Sequence, residues 1–345
     1  MESRPLKVAV IGYGSIGKRH VNIVREQTKH VDIWIYSGTQ KLESLTSVSG
    51  IFNSIDQLLE YHPDIAIVAN PSSLHLDIAL TLAKNKIDML IEKPVSNAED
   101  GVLELINYIE ENKLVVRVGY NLRYQPSLIY FKNLIQSSYI HNICYVRSEV
   151  GQHLSGWRPN TNISTGVTAN KFLGGGVLRE LSHEIDYIQW IFGDIVCVSG
   201  NIRKLTELTN DVEDFADLSF MIKTHESNKE TVVMTTLDCI RKDRIRKCTV
   251  ITENVTLLWD GVEDVVSEWN PETETWQVIF SGNNDRDESY KLQWQGFMTA
   301  FERREEDFGL SVRTALKTVA VIQAAEKSNE NNCQMTILDA GKYLL

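Results

Sequence analysis

The feature that most constrains this chain is a glycine loop near its start. Gly12-Tyr13-Gly14-Ser15-Ile16-Gly17 follows an apolar run at residues 8–11 and opens a helical pattern over 15–25. By itself G-x-G-x-x-G recurs by chance. A strand before it, a helix after it and further strand–helix units behind are the context that a dinucleotide-binding turn requires. The chemistry needs glycine for a tight turn, for close approach of the backbone to a pyrophosphate, and for packing of helix on strand. The pyrophosphate then meets the free N–H groups and the positive dipole end of the helix. A plain strand-to-helix turn is the alternative use of the same residues.

The alternation continues behind the loop. Short β-branched runs at 31–36, 65–69, 89–91 and 115–118 are spaced by helical patterns at 56–60, 72–84 and 98–111. Ser72 and either Ser96 or Asn97 stand where helix N-caps belong. This spacing predicts βαβ units, hence an α/β fold with a doubly wound parallel sheet covered on both faces. After about residue 140 the rhythm changes. Strand candidates at 142–150, 215–222, 231–237 and 244–252 follow one another through turns, and Asp260-Gly261 suits a hairpin between 255–259 and 262–266. Helical patterns occupy 178–192, 290–306 and 311–328, and the polar stretch 281–289 reads as a loop. The expectation is a dinucleotide-binding domain over 1–120. An α+β domain with an open, largely antiparallel sheet follows over 121–345, with a C-terminal segment returning to pack on the first.

Composition enters as a set of exclusions. At 345 residues the chain has room for about two domains at ~100–200 residues each. A net charge of −11, from 46 acidic against 35 basic residues, comes without a sustained Lys/Arg block; this argues against a nucleic-acid or membrane partner. No run approaches the ~18 apolar residues needed to cross a bilayer, and no secretory signal pattern opens the chain. The five cysteines, Cys144, Cys197, Cys239, Cys248 and Cys333, are scattered and form no CxxC pair. They read as reduced thiols of a cytoplasmic protein, and no metal site is expected. Asp211, Glu213, Asp214 and Asp217 lack the spacing of a calcium loop and read as a solvated strand edge.

The choice of nicotinamide cofactor turns on the end of the second strand, where an acidic residue would bind the ribose 2′-OH of NAD. Here the sequence is Tyr36-Ser37-Gly38-Thr39-Gln40-Lys41, with no carboxylate until Glu43. Two hydroxyls and Lys41 suit a 2′-phosphate, which favours NADP(H); a solvated turn is the alternative. Further on, Glu92-Lys93-Pro94 places a lysine at the C-terminal end of a parallel strand, where ligands bind in such sheets. Beside a nicotinamide its ammonium could polarise a hydroxyl or carbonyl; an exposed strand-end lysine is the plainer use. Gly174-Gly175-Gly176 precedes a helical pattern in which Glu180 and His183 lie three apart and so share a face. A carboxylate near an imidazole can orient it and tune it for acid–base work, while Trp190 reads as core. A satisfied helix histidine remains open for His183.

Taken in order, Gly12-x-Gly14-x-x-Gly17, Asn70-Pro71 with His75, Glu92-Lys93-Pro94, Asn121-x-Arg123-x-x-Pro126 and Gly-Gly-Gly…His183-x-Ile-Asp186 resemble the glucose–fructose oxidoreductase / inositol dehydrogenase / rhizopine catabolism (Gfo/Idh/MocA) family. The resemblance spans most of the chain. It implies an N-terminal Rossmann domain and a C-terminal domain whose open sheet is an oligomer interface, giving a homodimer or homotetramer, with the active site between the domains. It implies Lys93 and His183 as catalytic residues acting on a sugar, cyclitol or related hydroxyl compound. It also implies cofactor contacts from Gly12 to Gly17, Ser37, Lys41, Asn70, Pro71, His75, Glu92 and Lys93. Substrate contacts are expected from Lys93, Asn121, Arg123 and His183. The family helix commonly carries an Asp four residues before the His, whereas Glu180 stands three before it. The stretch Glu149-Val-Gly-Gln-His153-Leu-Ser-Gly-Trp157-Arg158-Pro159 is similar to a subgroup found with bacterial surface-sugar pathways. There Trp157 could stack on a sugar and Arg158 grip a carboxylate or phosphate, or both could belong to a surface loop. The expectation is an NAD(P)-dependent sugar oxidoreductase. A non-catalytic dinucleotide and sugar sensor, or a reductase of a non-sugar carbonyl, are its rivals.

Overall fold

The strands of the first half are apolar on both faces, and the computed structural model buries them accordingly. It describes residues 4–38, 45, 48–157, 166–224, 230–283, 285–305 and 310–337. These divide into two compact units, Met1–Tyr120 with Tyr290–Leu316, and Asn121–Ser289 with Lys317–Leu345.

In the first unit six parallel strands are β1 (Leu6–Ile11), β2 (Val31–Tyr36), β3 (Gly50–Phe52), β4 (Ile65–Val68), β5 (Asp88–Ile91) and β6 (Val116–Val118), in the order β3-β2-β1-β4-β5-β6. Val8 pairs with Ile33 on one side and Ile65 on the other, so strand order reverses at β1, and a crevice opens at its C-terminal end. Val8, Val10, Ile65, Ile67, Met89 and Leu90 are fully buried, as a sheet covered on both faces requires. The helices are α1 (Ser15–Gln27), α2 (Ile55–Leu59), α3 (His75–Lys84), α4 (Val102–Asn112) and α9 (Glu288–Arg303). Trp294, Phe297 and Ala300 form the buried stripe of α9 in the core around Val8, Val21 and Ile33. Trp294 also donates from Nε1 to Thr28 Oγ1 at 3.1 Å. Burying each aromatic contributes about 2 kcal/mol, which draws a distant stretch of sequence into this unit.

The second unit is built on a nine-stranded sheet. Its strands are β7 (Ile143–Gly151), β8 (Gly193–Arg203), β9 (Phe215–Thr224), β10 (Glu230–Asp238), β11 (Ile245–Thr252), β12 (Thr256–Asp260), β13 (Val265–Asn270), β14 (Thr275–Ser281) and β15 (Met335–Thr336). The order is β14-β13-β12-β11-β7-β10-β9-β8-β15. Every pairing is antiparallel except β7 with β10. The short α6 (Leu154–Trp157) follows β7. One face carries α5 (Pro126–Ile135), α7 (Val177–Glu180), α8 (His183–Phe192) and α10 (Val312–Asn331) over a core that includes Phe131, Tyr187, Ile188, Trp259 and Ala324. Tyr187 meets Trp259 edge-on at 5.3 Å, and Trp259 Nε1 donates to Ser127 Oγ at 2.8 Å.

Several local expectations change, among them the helix N-caps, which fall at Leu74 and Gly101 instead of Ser72 and Ser96 or Asn97. The hairpin expected at Asp260-Gly261 is wider, with strands ending at Asp260 and resuming at Val265, because Gly261 N–H is drawn to the Arg246 carbonyl. The helix expected over 178–192 is two helices, broken by a turn at Leu181 and Ser182. Of the acidic residues expected on a solvated edge, Asp211 is exposed, but Asp214 and Glu213 are not solvated in this way. Asp214 is fully buried and accepts from Leu205 N, Thr206 N and Thr206 Oγ1, while Glu213 accepts from Leu178 N at the start of α7. Their carboxylates hold the N–H groups of turning backbone.

Candidate active site

The first unit gathers its candidate residues at the C-terminal ends of the parallel strands. Gly12 leaves β1 with φ +96°, and a Cβ there would lie 2.8 Å from Asn70 and from the Ala69 carbonyl. A Cβ on Gly17 would lie 2.1 Å from the Gly12 carbonyl oxygen, so only glycine lets α1 sit this close to the strand. Gly14 differs: a Cβ there would meet nothing within 4 Å. Open space therefore lies at the mouth of α1, whose first turn has no acidic residue and no side-chain cap. Those unclaimed N–H groups and the positive end of the helix dipole fit a pyrophosphate. Ser15 and Ile16 form the first turn, and Lys18 lies over the Tyr13 ring at 5.5 Å.

Asn70 and Pro71 follow β4, and Asn70 Oδ1 is buried with no hydrogen-bond partner among the described residues. The ring nitrogens of His75 are 2.8 Å from the Pro94 carbonyl and 2.9 Å from that of Asn70. His75 therefore ties the end of β4 to the segment after β5. Burial pushes its pKa below the ordinary value, against the pull of the two carbonyls and of Glu92. Glu92 is itself buried, 2.7 Å from His20 Nε2. His20 meets Tyr290 edge-on, and Arg19 lies over the same ring at 4.8 Å. Lys93 follows at the end of β5, half-buried, with a cis peptide to Pro94. Ser37 follows β2 and is buried, its N–H donating to the Phe52 carbonyl; Lys41 lies outside the described residues.

In the second unit a glycine run leads into the paired short helices. Gly174 (φ +82°) and Gly176 (φ +107°) take conformations that favour glycine, and α7 then ends at Glu180, whose Oε1 accepts from Thr168 Oγ1 at 2.8 Å. His183 begins α8 and is buried. The single helix face expected for Glu180 and His183 is thus divided between two helices. Glu184, fully buried, accepts from Arg246 Nε at 2.8 Å. Arg123 points its guanidinium fork at Asp186, Nε to Oδ2 at 2.8 Å and Nη2 to Oδ1 at 2.7 Å, and lies over Trp190. Burial raises the pKa of Asp186 and Arg123 opposes the rise. The buried Asn121 donates from Nδ2 to Ser289 Oγ at 2.7 Å. Trp157 packs half-buried against the unit's core, and Arg158 lies outside the described residues. Among those residues no group of three His, Cys, Asp or Glu could hold a metal ion, and no helix is long and apolar enough to cross a membrane.

Comparison with known proteins agrees with this geometry. Residues 6–120 match the oxidoreductase family with an NAD-binding Rossmann fold, and residues 129–246 match the Gfo/Idh/MocA C-terminal domain. The chain belongs to the Gfo/Idh/MocA oxidoreductase family, and its first unit is an NAD-binding domain. It is 26% identical over 208 residues to an uncharacterized oxidoreductase of Synechocystis sp. (58% of this chain, 55% of that one). Over 195 residues it is 23% identical to the inositol 2-dehydrogenase of Rubrobacter xylanophilus (55% of this chain, 53% of that one). The matched stretch thus spans about half the length of these relatives. Levoglucosan dehydrogenase in complex with NADH and levoglucosan shares the fold with a TM-score of 0.84 at 15% identity, covering 97% of this chain and 100% of that one. GenD2 in complex with NAD gives 0.79 at 19% identity, covering 97% of each.

Two features escaped the sequence-based reading: the Arg123–Asp186 pair and the Arg246–Glu184 pair. Asp186 follows Arg123 by 63 positions and Arg246 follows Glu184 by 62, so no local pattern links the partners.

Proposed function

We propose that the protein oxidises or reduces a sugar, sugar derivative or cyclitol with NAD(P), and that it prefers NADP(H). The observation that carries the reading is the cradle at Gly12–Gly17, where Gly14 leaves the mouth of α1 open. Gly12 to Gly17 would hold the pyrophosphate, with Asn70 Oδ1 as an acceptor for a donor group of the cofactor. His75 and Glu92, both engaged within the protein, act by positioning Asn70, Pro71 and Lys93. When bound, the nicotinamide supplies the hydride acceptor or donor. His183 takes the hydroxyl proton during oxidation and returns it during reduction. Lys93 steadies the alkoxide-like oxygen with its ammonium. Glu180 positions the turn ahead of His183, and Asn121, Arg123, Trp157 and Arg158 shape the substrate side. The preference for NADP(H) rests on the absence of a carboxylate between Tyr36 and Glu43, with Ser37 and Lys41 as the phosphate contacts.

The similarity of the 149–159 sequence to the surface-sugar subgroup supports a role in making such sugars, and the free thiols support a cytoplasmic setting. A homodimer or homotetramer would use the uncovered sheet face. There the register aligns Val232 and Ile251 with Tyr145, and Val232 and Ile251 are exposed.

The test is a fluorescence titration with NADH and NADPH, followed by turnover on a panel containing inositol, levoglucosan and amino sugars. Lys93→Met and His183→Asn should each keep cofactor affinity and lose about 10²–10⁴-fold in kcat. Full turnover in Lys93→Met, or binding of neither dinucleotide, would sink the assignment.

A further inference from the structure

The helix that opens at the glycine loop carries one polar side chain into the core. The buried residues of α1 are Gly17, His20, Val21, Ile23 and Val24, and an apolar residue at position 20 would serve packing as well. His20 Nε2 instead lies 2.7 Å from Glu92 Oε1, with the two side chains 1% and 9% exposed. A buried pair of this kind is weak evidence for stability, because apolar residues of similar volume do as well or better. What it adds is direction. Tyr290 of α9 fills the space beside it, meeting the His20 ring edge-on at 5.9 Å.

The carboxylate that His20 meets belongs to the residue before Lys93, and it is held from other sides too. Glu92 N–H donates to the Val68 carbonyl at 2.9 Å, and Gly119 N–H to the Ile91 carbonyl at 2.7 Å. A Cβ on Gly119 would lie 3.2 Å from both Cα and Oε1 of Glu92, so the side chain rests directly on the backbone after β6. On the other flank of Lys93, His75 Nδ1 is 2.8 Å from the Pro94 carbonyl. Two histidines therefore pin the residues on either side of the lysine, one from α1 and one from α3. His20 stands five positions after Ser15, about 7.5 Å along the axis from the open mouth of α1.

We propose that His20 is a positioning residue for Lys93: through Glu92 it sets the lysine against α1, the helix whose mouth forms the dinucleotide cradle. The effect on turnover rests on the oxidoreductase reading; the tie from His20 to Lys93 does not.

The test is amine acylation of the full chain, with and without NAD(P)H, followed lysine by lysine by mass spectrometry. A lysine released from its placement opens more often, so Lys93 should label at least about threefold faster in His20→Leu. The exposed Lys84 and Lys113 should label as in the parent. His20→Gln, which keeps a donor near the Nε2 position, should restore the parental rate at Lys93. Should His20→Leu fail to fold, His20→Leu/Glu92→Met removes both partners and leaves no orphaned charge; the same release of Lys93 is expected. In turnover, His20→Leu should lose roughly 10- to 100-fold in kcat at unchanged dinucleotide affinity. In a Lys93→Met background it should cost nothing further, because its effect passes through the lysine. A parental rate at Lys93 in the folded variants, equal acceleration at Lys84 and Lys113, or no rescue by His20→Gln overturns the proposal. Lys93 released in a protein whose parent has no turnover keeps the tie and removes the dehydrogenase. Turnover in the parent with Lys93 unmoved in His20→Leu does the reverse.

Discussion

Gly14 and Gly17 lie three residues apart in one loop, and replacing each with alanine should damage different properties. Gly14 has φ −73° and ψ −166°, which any residue adopts, and its Cβ would meet nothing within 4 Å. The methyl weakens a glycine N-cap by less than about 1 kcal/mol and recovers part of that by restricting the unfolded chain. The melting temperature of Gly14→Ala should therefore stay within a few degrees of the parent. The same methyl occupies the space a pyrophosphate must enter, so NADH and NADPH affinity should fall at least tenfold, a loss of about 1.4 kcal/mol. Gly17→Ala puts a methyl 2.1 Å from the Gly12 carbonyl oxygen, about 1.4 Å short of a ~3.5 Å contact. The helix must lift from β1, at the ~1–3 kcal/mol typical of overpacking. For a unit of this size that lowers the melting temperature by roughly 2–12 °C. Differential scanning fluorimetry and a dinucleotide titration on both variants decide the matter. Parental dinucleotide affinity in Gly14→Ala, or equal melting losses in the two variants, would refute the reasoning.

Two more perturbations follow from buried polar groups. Arg123→Ala leaves the buried Asp186 carboxyl of α8 without its partner and should cost about 3–5 kcal/mol in urea unfolding; a loss below 1 kcal/mol would show that the pair is not structural. His75 has a folded pKa below its ordinary 6.5 because burial disfavours the imidazolium. The unfolded chain therefore binds the extra proton first as pH falls. Stability should be fully present above about pH 6.5 and decline below it, with a slope of at most ~1.4 kcal/mol per pH unit from this group. Urea midpoints at pH 7.5 and 5.5 should differ more in the parent than in His75→Gln, and equal differences would refute the assignment.

Much of the first unit is legible in the sequence because its signals are local. An apolar run buried on both faces, a glycine loop and a helix pattern each occupy a few consecutive residues, so β1, β4, β5 and the α1 turn stand near where the pattern puts them. The second unit is less legible. Strand β14 is exposed over most of its length, so burial stamps no two-residue alternation on Thr275–Ser281. Strand β8 follows α8 without an intervening turn residue beyond Gly193, and Leu181 and Ser182 break a helix whose apolar spacing runs on unbroken. Propensity and period do not register a turn stabilised by Gly174, Gly176 and the Glu213 carboxylate.

The sequence by itself determined the dinucleotide-binding half, the family and the residue types set aside for chemistry, because those depend on glycine at Gly12, Gly14 and Gly17 and on residues adjacent in the chain. Only the tertiary structure decided what the charged side chains do. Arg123 faces Asp186, Arg246 faces Glu184, and Asp214 caps a turn. A guanidinium looks the same in sequence whether it is neutralised or not. What separates the two states is the carboxylate that folding brings within 3 Å or leaves elsewhere.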